Sequence, residues 1–154
     1  MTSINGGDEL IMEVPVNYLA VLLAALSTMV VGSIWYTPKV FGNVWMKWSG
    51  AKPDPTMSWG KTAFMFGSVF VASLVAAYVL SHVAYLSQNF FGGSFVVNSL
   101  STAFWAWLGF TAVRIYTHDT FEGRRKKLTL LNVAHELVTF LVMALIIGFF
   151  GVPA

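Results

Sequence analysis

The sequence predicts an all-α membrane protein: four transmembrane helices in a bundle, with a short interfacial helix after the first. Three observations lead there. Of 154 residues, 56% are hydrophobic and only 10% charged, with a mean hydropathy of +0.69; a soluble domain carries about a quarter charged residues. Too few polar side chains remain to cover a water-facing surface, so lipid must be part of the solvent. Four apolar stretches, at about 16–37, 62–86, 96–116 and 128–150, are long enough to cross roughly 30 Å of hydrocarbon at about 1.5 Å per residue. All nine Lys and Arg residues fall in or beside two of the three connections between these stretches.

Residues 1–15 form a polar tail with Asp8, Glu9 and Glu13 and no Lys or Arg. A secretory signal needs a positive first region and a short apolar one. Neither is present, so the N-terminus is expected to be retained, ahead of one four-helix domain over 16–154. In the first span Ala20, Ala24, Thr28 and Gly32 repeat every fourth position, as do Ser68, Ala72 and Ala76 in the second and Ala144 and Gly148 in the fourth. Such small-residue rows let membrane helices approach closely, because lipid offers no hydrophobic drive for their association.

The first connection is more than a loop. Pro38 ends the first span and starts a predicted helix over Lys39–Ser49, where Phe41, Val44, Trp45 and Trp48 recur at helical spacing and Asn43 and Lys47 point elsewhere. That pattern suits a helix lying in the headgroup layer. Pro53-Asp-Pro55 follows as a stiff turn. Ser87–Phe95, uncharged and with two glycines, reads as a short loop on the other side.

Lys39, Lys47, Lys52 and Lys61 attend the first connection; Arg114, Arg124, Arg125, Lys126 and Lys127 attend the third. Cytoplasmic loops are the ones enriched in Lys and Arg. Both termini are therefore expected on the non-cytoplasmic side. Tyr36-Thr-Pro-Lys-Val-Phe41 and Tyr116-Thr-His-Asp-Thr-Phe121 also share Tyr-Thr-x-x-x-Phe, with Gly42 and Gly123 soon after. Two helical hairpins crossing in the same sense would be a parallel repeat.

The stretch Gly32-Ser-Ile-Trp-Tyr-Thr-Pro-Lys-Val-Phe-Gly-Asn-Val-Trp-Met-Lys-Trp-Ser-Gly50 resembles the signature of a bacterial family of small membrane proteins, domain of unknown function 1761. Trp35, Tyr36, Pro38, Phe41, Gly42, Trp45 and Trp48 form that interfacial motif. Trp107-Leu-Gly-Phe110 and Phe121-Glu-Gly-Arg124 also fit the family pattern, so the likeness covers nearly the whole chain from Val16. It departs at Ala112-Val-Arg-Ile115, where the family has a proline-containing run, and the third helix is expected to end differently. The resemblance implies a four-helix protein of the bacterial inner membrane and no particular activity.

Ionisable groups at membrane depth are costly and therefore candidates for function. Arg114, Asn132, His135, Glu136 and Thr139 make the best set, the last four on one face of the fourth helix. Pairing of Arg114 with Glu136, with His135 or Tyr116 alongside, is the first structural expectation; helix glue, a ligand site or a proton relay are the roles it admits. Metal binding is poorly supported. His135-Glu136 begins a His-Glu-x-x-His motif, but Thr139 replaces the second ligand. His82 and His135 lie at different depths, which denies a bis-histidine haem, and His118, Asp119 and His135 are the only other set. No cysteine, nucleophile motif or phosphate-cradling glycine loop occurs.

No cofactor is implied, catalysis is not expected, and nothing indicates nucleic-acid binding. The expected partners are the lipid bilayer and a homo-oligomer or larger membrane complex. The leading expectation is a non-enzymatic accessory, scaffold or lipid-interacting component. The alternative is a small oligomeric transporter using Glu136, Arg114 and His135. Arg124-Arg-Lys-Lys127 could attract anionic headgroups, although fixing the topology is its plainer role.

Overall fold

A computed structural model describes residues 14–52 and 54–151, all of whose regular structure is helical. The elements are α1 (Tyr18–Trp35), α2 (Gly42–Ser49), α3 (Trp59–Phe91), α4 (Phe95–Ala106), a π-helical segment (Trp107–Ala112), α5 (Val113–Phe121) and α6 (Lys126–Phe150). The stretch from α4 through the π segment to α5 is one continuous helix. It is one of four long and apolar enough to cross a membrane, with α1, α3 and α6. The acidic tail up to Glu13, and Pro53 of the stiff turn, lie outside the described residues.

Local chemistry sets the boundaries. Asn17 caps α1: its Oδ1 accepts from the Ala20 amide at 3.1 Å while its Nδ2 donates to the Phe150 carbonyl at 3.4 Å. One side chain thus satisfies a free amide of α1 and ties the start of that helix to the end of α6. The second span is longer than expected at both ends. Ser58 caps its start by accepting from the Lys61 amide, and nothing breaks it before Gly92 and Gly93, whose φ values of 66° and 76° make the turn into α4. The third also overruns its expected end, because Ala112–Ile115 contains no proline.

α6 packs along α1 and α4, and α3 packs along the same two helices, so α3 and α6 face each other across the diagonal of the bundle. The core is built from Ala24 and Ala25 of α1, Ala77 and Leu80 of α3, Ala103 of α4, and Met143 and Ile147 of α6. Small residues set the spacing. A Cβ on Gly148 would lie 2.7 Å from the Val96 Cα, so the backbones of α4 and α6 touch. Ala20, Ala24 and Thr28 are buried, as the first row requires. The second row is displaced: Ser68 and Ala72 are exposed, and α3 buries Ala77, Ser81 and Ala84 instead.

That displacement reflects an uneven bundle. Its core lies at the end that holds Asn17, Phe150 and the α3–α4 turn. At the other end the first half of α3 stands clear, with Trp59 85% exposed and Phe64 and Phe66 also outward. Among the described residues, α2, packed against α6, and the α5–α6 corner close that end.

Candidate functional site

The α1–α2 connection is a wound corner. Pro38 has no amide hydrogen to continue a helix, and α1 stops at Trp35. The chain then reverses through hydrogen bonds from the Phe41 amide to the Trp35 carbonyl (3.1 Å) and from the Gly42 amide to the Thr37 carbonyl (2.8 Å). Asn43 Nδ2 donates to the Pro38 carbonyl at 3.1 Å. A Cβ on Gly42 would overlap the Tyr36 carbonyl oxygen and come within 2.8 Å of the Thr37 carbonyl group. The interfacial helix therefore begins at Gly42, not at Lys39: residues 38–41 are consumed by the turn. Stacking locks it, with Trp35 against Phe41 at 4.5 Å and Tyr36 against Trp45 at 5.4 Å between ring centroids.

This corner sits on α6. The His135 ring lies 5.1 Å from that of Tyr36 and 5.6 Å from that of Trp35. Gly32 faces the same ring: a Cβ there would meet His135 Nε2 at 3.8 Å, an ordinary contact. On its other side His135 Nδ1 is 3.5 Å from Glu136 Oε1. His135 Nε2, Trp35 Nε1 and Asn132 Oδ1 are all buried without a hydrogen-bond partner. Buried polar atoms are normally satisfied, so this junction holds unspent hydrogen-bonding capacity. Thr139, one turn along, donates to the His135 carbonyl at 3.0 Å.

The two residue sets read separately in the sequence thus form one junction. Trp35, Tyr36, Phe41, Gly42 and Trp45 come together around His135 and Glu136; Trp48 is half-buried on α2, outside these ring pairs. Arg114 is not among them. It is exposed on α5 and makes no ion pair with Glu136. Tyr116 faces a different cavity.

That cavity is a second feature, about 640 Å³ in volume, between the π segment with α5 and the first turns of α6. Trp107, Leu108, Val113, Leu130 and Val133 give it apolar walls, and Arg124 and Lys126 stand at one end. Trp107 Nε1 donates to the Val133 carbonyl at 3.0 Å across it. The corner below is tightly made. The Gly123 and Arg124 amides donate back to the Thr120 and Asp119 carbonyls, closing α5 with glycine at φ 66°. The Asp119 carboxylate, 6% exposed, accepts from the Thr129 hydroxyl at 2.7 Å and lies 3.6 Å from Arg124 Nε. Arg124 Nε also contacts Glu122 Oε2 at 2.6 Å. Asp119 is therefore committed to α6 and Arg124, and among the described residues no three metal-ligating side chains converge.

Sequence reasoning missed the Asp119–Thr129 and Trp107–Val133 links. One signal was available: an indole N–H inside an apolar span needs an acceptor, and only a neighbouring helix can offer a main-chain one at that depth.

The family model described as Protein of unknown function (DUF1761) matches residues 19–148. No curated protein and no solved structure matches the chain.

Proposed function

The chain belongs to the family Protein of unknown function (DUF1761), and from that premise we propose that it is a non-enzymatic, lipid-interacting component of the bacterial inner membrane. The observation that supports this reading is the cavity beside the π segment: apolar along its walls, bounded by the membrane-length helices, and basic at one end. π segments inside α-helices are frequent at functional sites. A cleft of this size lies within the roughly 300–1,000 Å³ of small-molecule sites. In this reading residues 16–154 are one membrane domain behind an acidic tail, and both termini face away from the cytoplasm. The Arg124–Lys127 run then sits in the cytoplasmic headgroup layer. Native mass spectrometry of the gently solubilised protein tests it: lipid retained in fixed stoichiometry supports the proposal, and a bare polypeptide overturns it.

A second reading, a small proton-coupled transporter, draws on the contact of His135 with Glu136 and the three unpartnered polar atoms beside it. It no longer includes Arg114. It requires a pH-dependent substrate flux in reconstituted vesicles that Glu136→Gln abolishes.

A further inference from the structure

We infer that the cavity between the π segment and α6 selects an anionic glycerophospholipid, with its phosphate against Arg124 and Lys126 and an acyl chain along Trp107 and Leu130. This rests on the lipid-interacting reading above and adds the headgroup chemistry.

Shape and charge complementarity carry the choice. The walls supplied by Trp107, Leu108, Val113, Leu130 and Val133 have little to offer a water-soluble anion, and they suit a hydrocarbon chain. The polar end is cationic. Among the described residues, the carboxylates close in sequence to the Arg124–Lys127 run are Asp119 and Glu122. Those carboxylates are already engaged: Asp119 by the Thr129 hydroxyl and Arg124, Glu122 by Arg124 at 2.6 Å. They hold the guanidinium by its Nε edge, which leaves its terminal N–H groups for a phosphate. Lys126 lines the same end of the cavity and makes no ion pair among the described residues.

The start of α6 adds to this charge. Its first turn carries no acidic residue, and Arg125 in the capping position makes no side-chain cap bond. Two lysines thus stand at the positive pole of a 25-residue helix, an arrangement that a neighbouring anion relieves. A zwitterionic headgroup would bring its own ammonium against these cations, where the two nearby carboxylates already carry Arg124. Selection therefore favours a headgroup without a positive charge.

The test uses the full chain reconstituted in vesicles of equal phosphatidylglycerol and phosphatidylcholine, extracted gently and analysed by native mass spectrometry. Phosphatidylglycerol should be enriched among retained lipids, by roughly fivefold for each basic side chain engaged. Lys126→Gln, which removes an exposed side chain with no ion-pair partner, should lower that enrichment by about fivefold and leave the number of retained lipids unchanged. Leu130→Trp, placed on the exposed wall of the cavity, should reduce retention of both lipids. Retention without headgroup preference, or a preference unchanged in Lys126→Gln, overturns the anionic assignment while the lipid-interacting reading stands. No retained lipid removes both. Displacement of phosphatidylglycerol by inorganic phosphate assigns the seat to a free anion and overturns the proposal.

Discussion

The chain turns twice at a Tyr-Thr-x-x-x-Phe sequence followed closely by glycine, and the two corners differ in almost every contact. At Tyr36–Phe41 the chain leaves helix at once and winds back on itself, setting Phe41 against Trp35 and Tyr36 against His135. At Tyr116–Phe121 it stays helical to the last residue. Thr117 and Thr120 donate to the carbonyls four residues back, Tyr116 is 57% exposed and Phe121 90%. The cause lies between the shared residues. Pro38 cannot donate a main-chain hydrogen bond, whereas His118 at the matching position can. The glycines differ in the same way. Gly42 is required because backbone carbonyls press on it; Gly123 has open space around it and is required for its left-handed backbone. A shared motif therefore encodes two devices, one a packed joint and the other a helix stop. The resemblance between them carries no structural repeat at these corners.

Substitutions can sharpen that contrast. Gly42→Ala should be the most damaging, costing about 3 kcal/mol or more, because the new Cβ collides with main-chain atoms that no rotamer change can move. Thermal unfolding in detergent, with tryptophan fluorescence reporting the Trp35 and Trp45 stacks, measures it. Thr129→Val should cost about 2 kcal/mol, since it removes the hydroxyl that Asp119 accepts from and leaves that carboxylate under-satisfied. Gly123→Ala meets no steric obstacle and pays only for its positive φ, about 1 kcal/mol. If it equals or exceeds Gly42→Ala in the same assay, the distinction between joint and stop is wrong. Smallest of all, Arg114→Gln should change stability by less than about 0.5 kcal/mol. Its effect should add to that of Glu136→Gln, and a coupling above about 1 kcal/mol in the double-mutant cycle would restore the pairing that the structure does not contain.

Periodicity and length made the four long helices legible, because the requirement to span hydrocarbon leaves few alternatives. The face of α6 carrying Asn132, His135, Glu136 and Thr139 was legible for the same reason: one helix fixes its own geometry. What α6 meets was not. Charge and depth along the helices match Arg114 to Glu136, but the partner of His135 is the wound corner, whose path depends on where a main chain can pass Gly42. Local signals also place Pro38 at the end of α1, yet do not reveal that the next residues form a turn before a helix. The Ser68 and Ala72 row failed because small-residue spacing marks surfaces able to pack, not the half of a helix that finds a neighbour. The π segment has no periodic signature of its own in an apolar stretch, and the cavity beside it stayed hidden.

The unequal lengths of α1 and α3 have a mechanical consequence. α1 has 18 residues and α3 has 33, which correspond to about 27 Å and about 50 Å of helix. The first only just matches a hydrocarbon layer of about 30 Å, and the second exceeds the whole bilayer of about 40–45 Å even at a tilt of about 20°. These helices are neighbours in the bundle. In a bilayer, a flank as short as α1 favours thinner surrounding leaflets than a flank as long as α3, so the protein would set a thickness gradient around its own perimeter. Lipids and neighbouring proteins would sense that gradient as a preferred direction of approach.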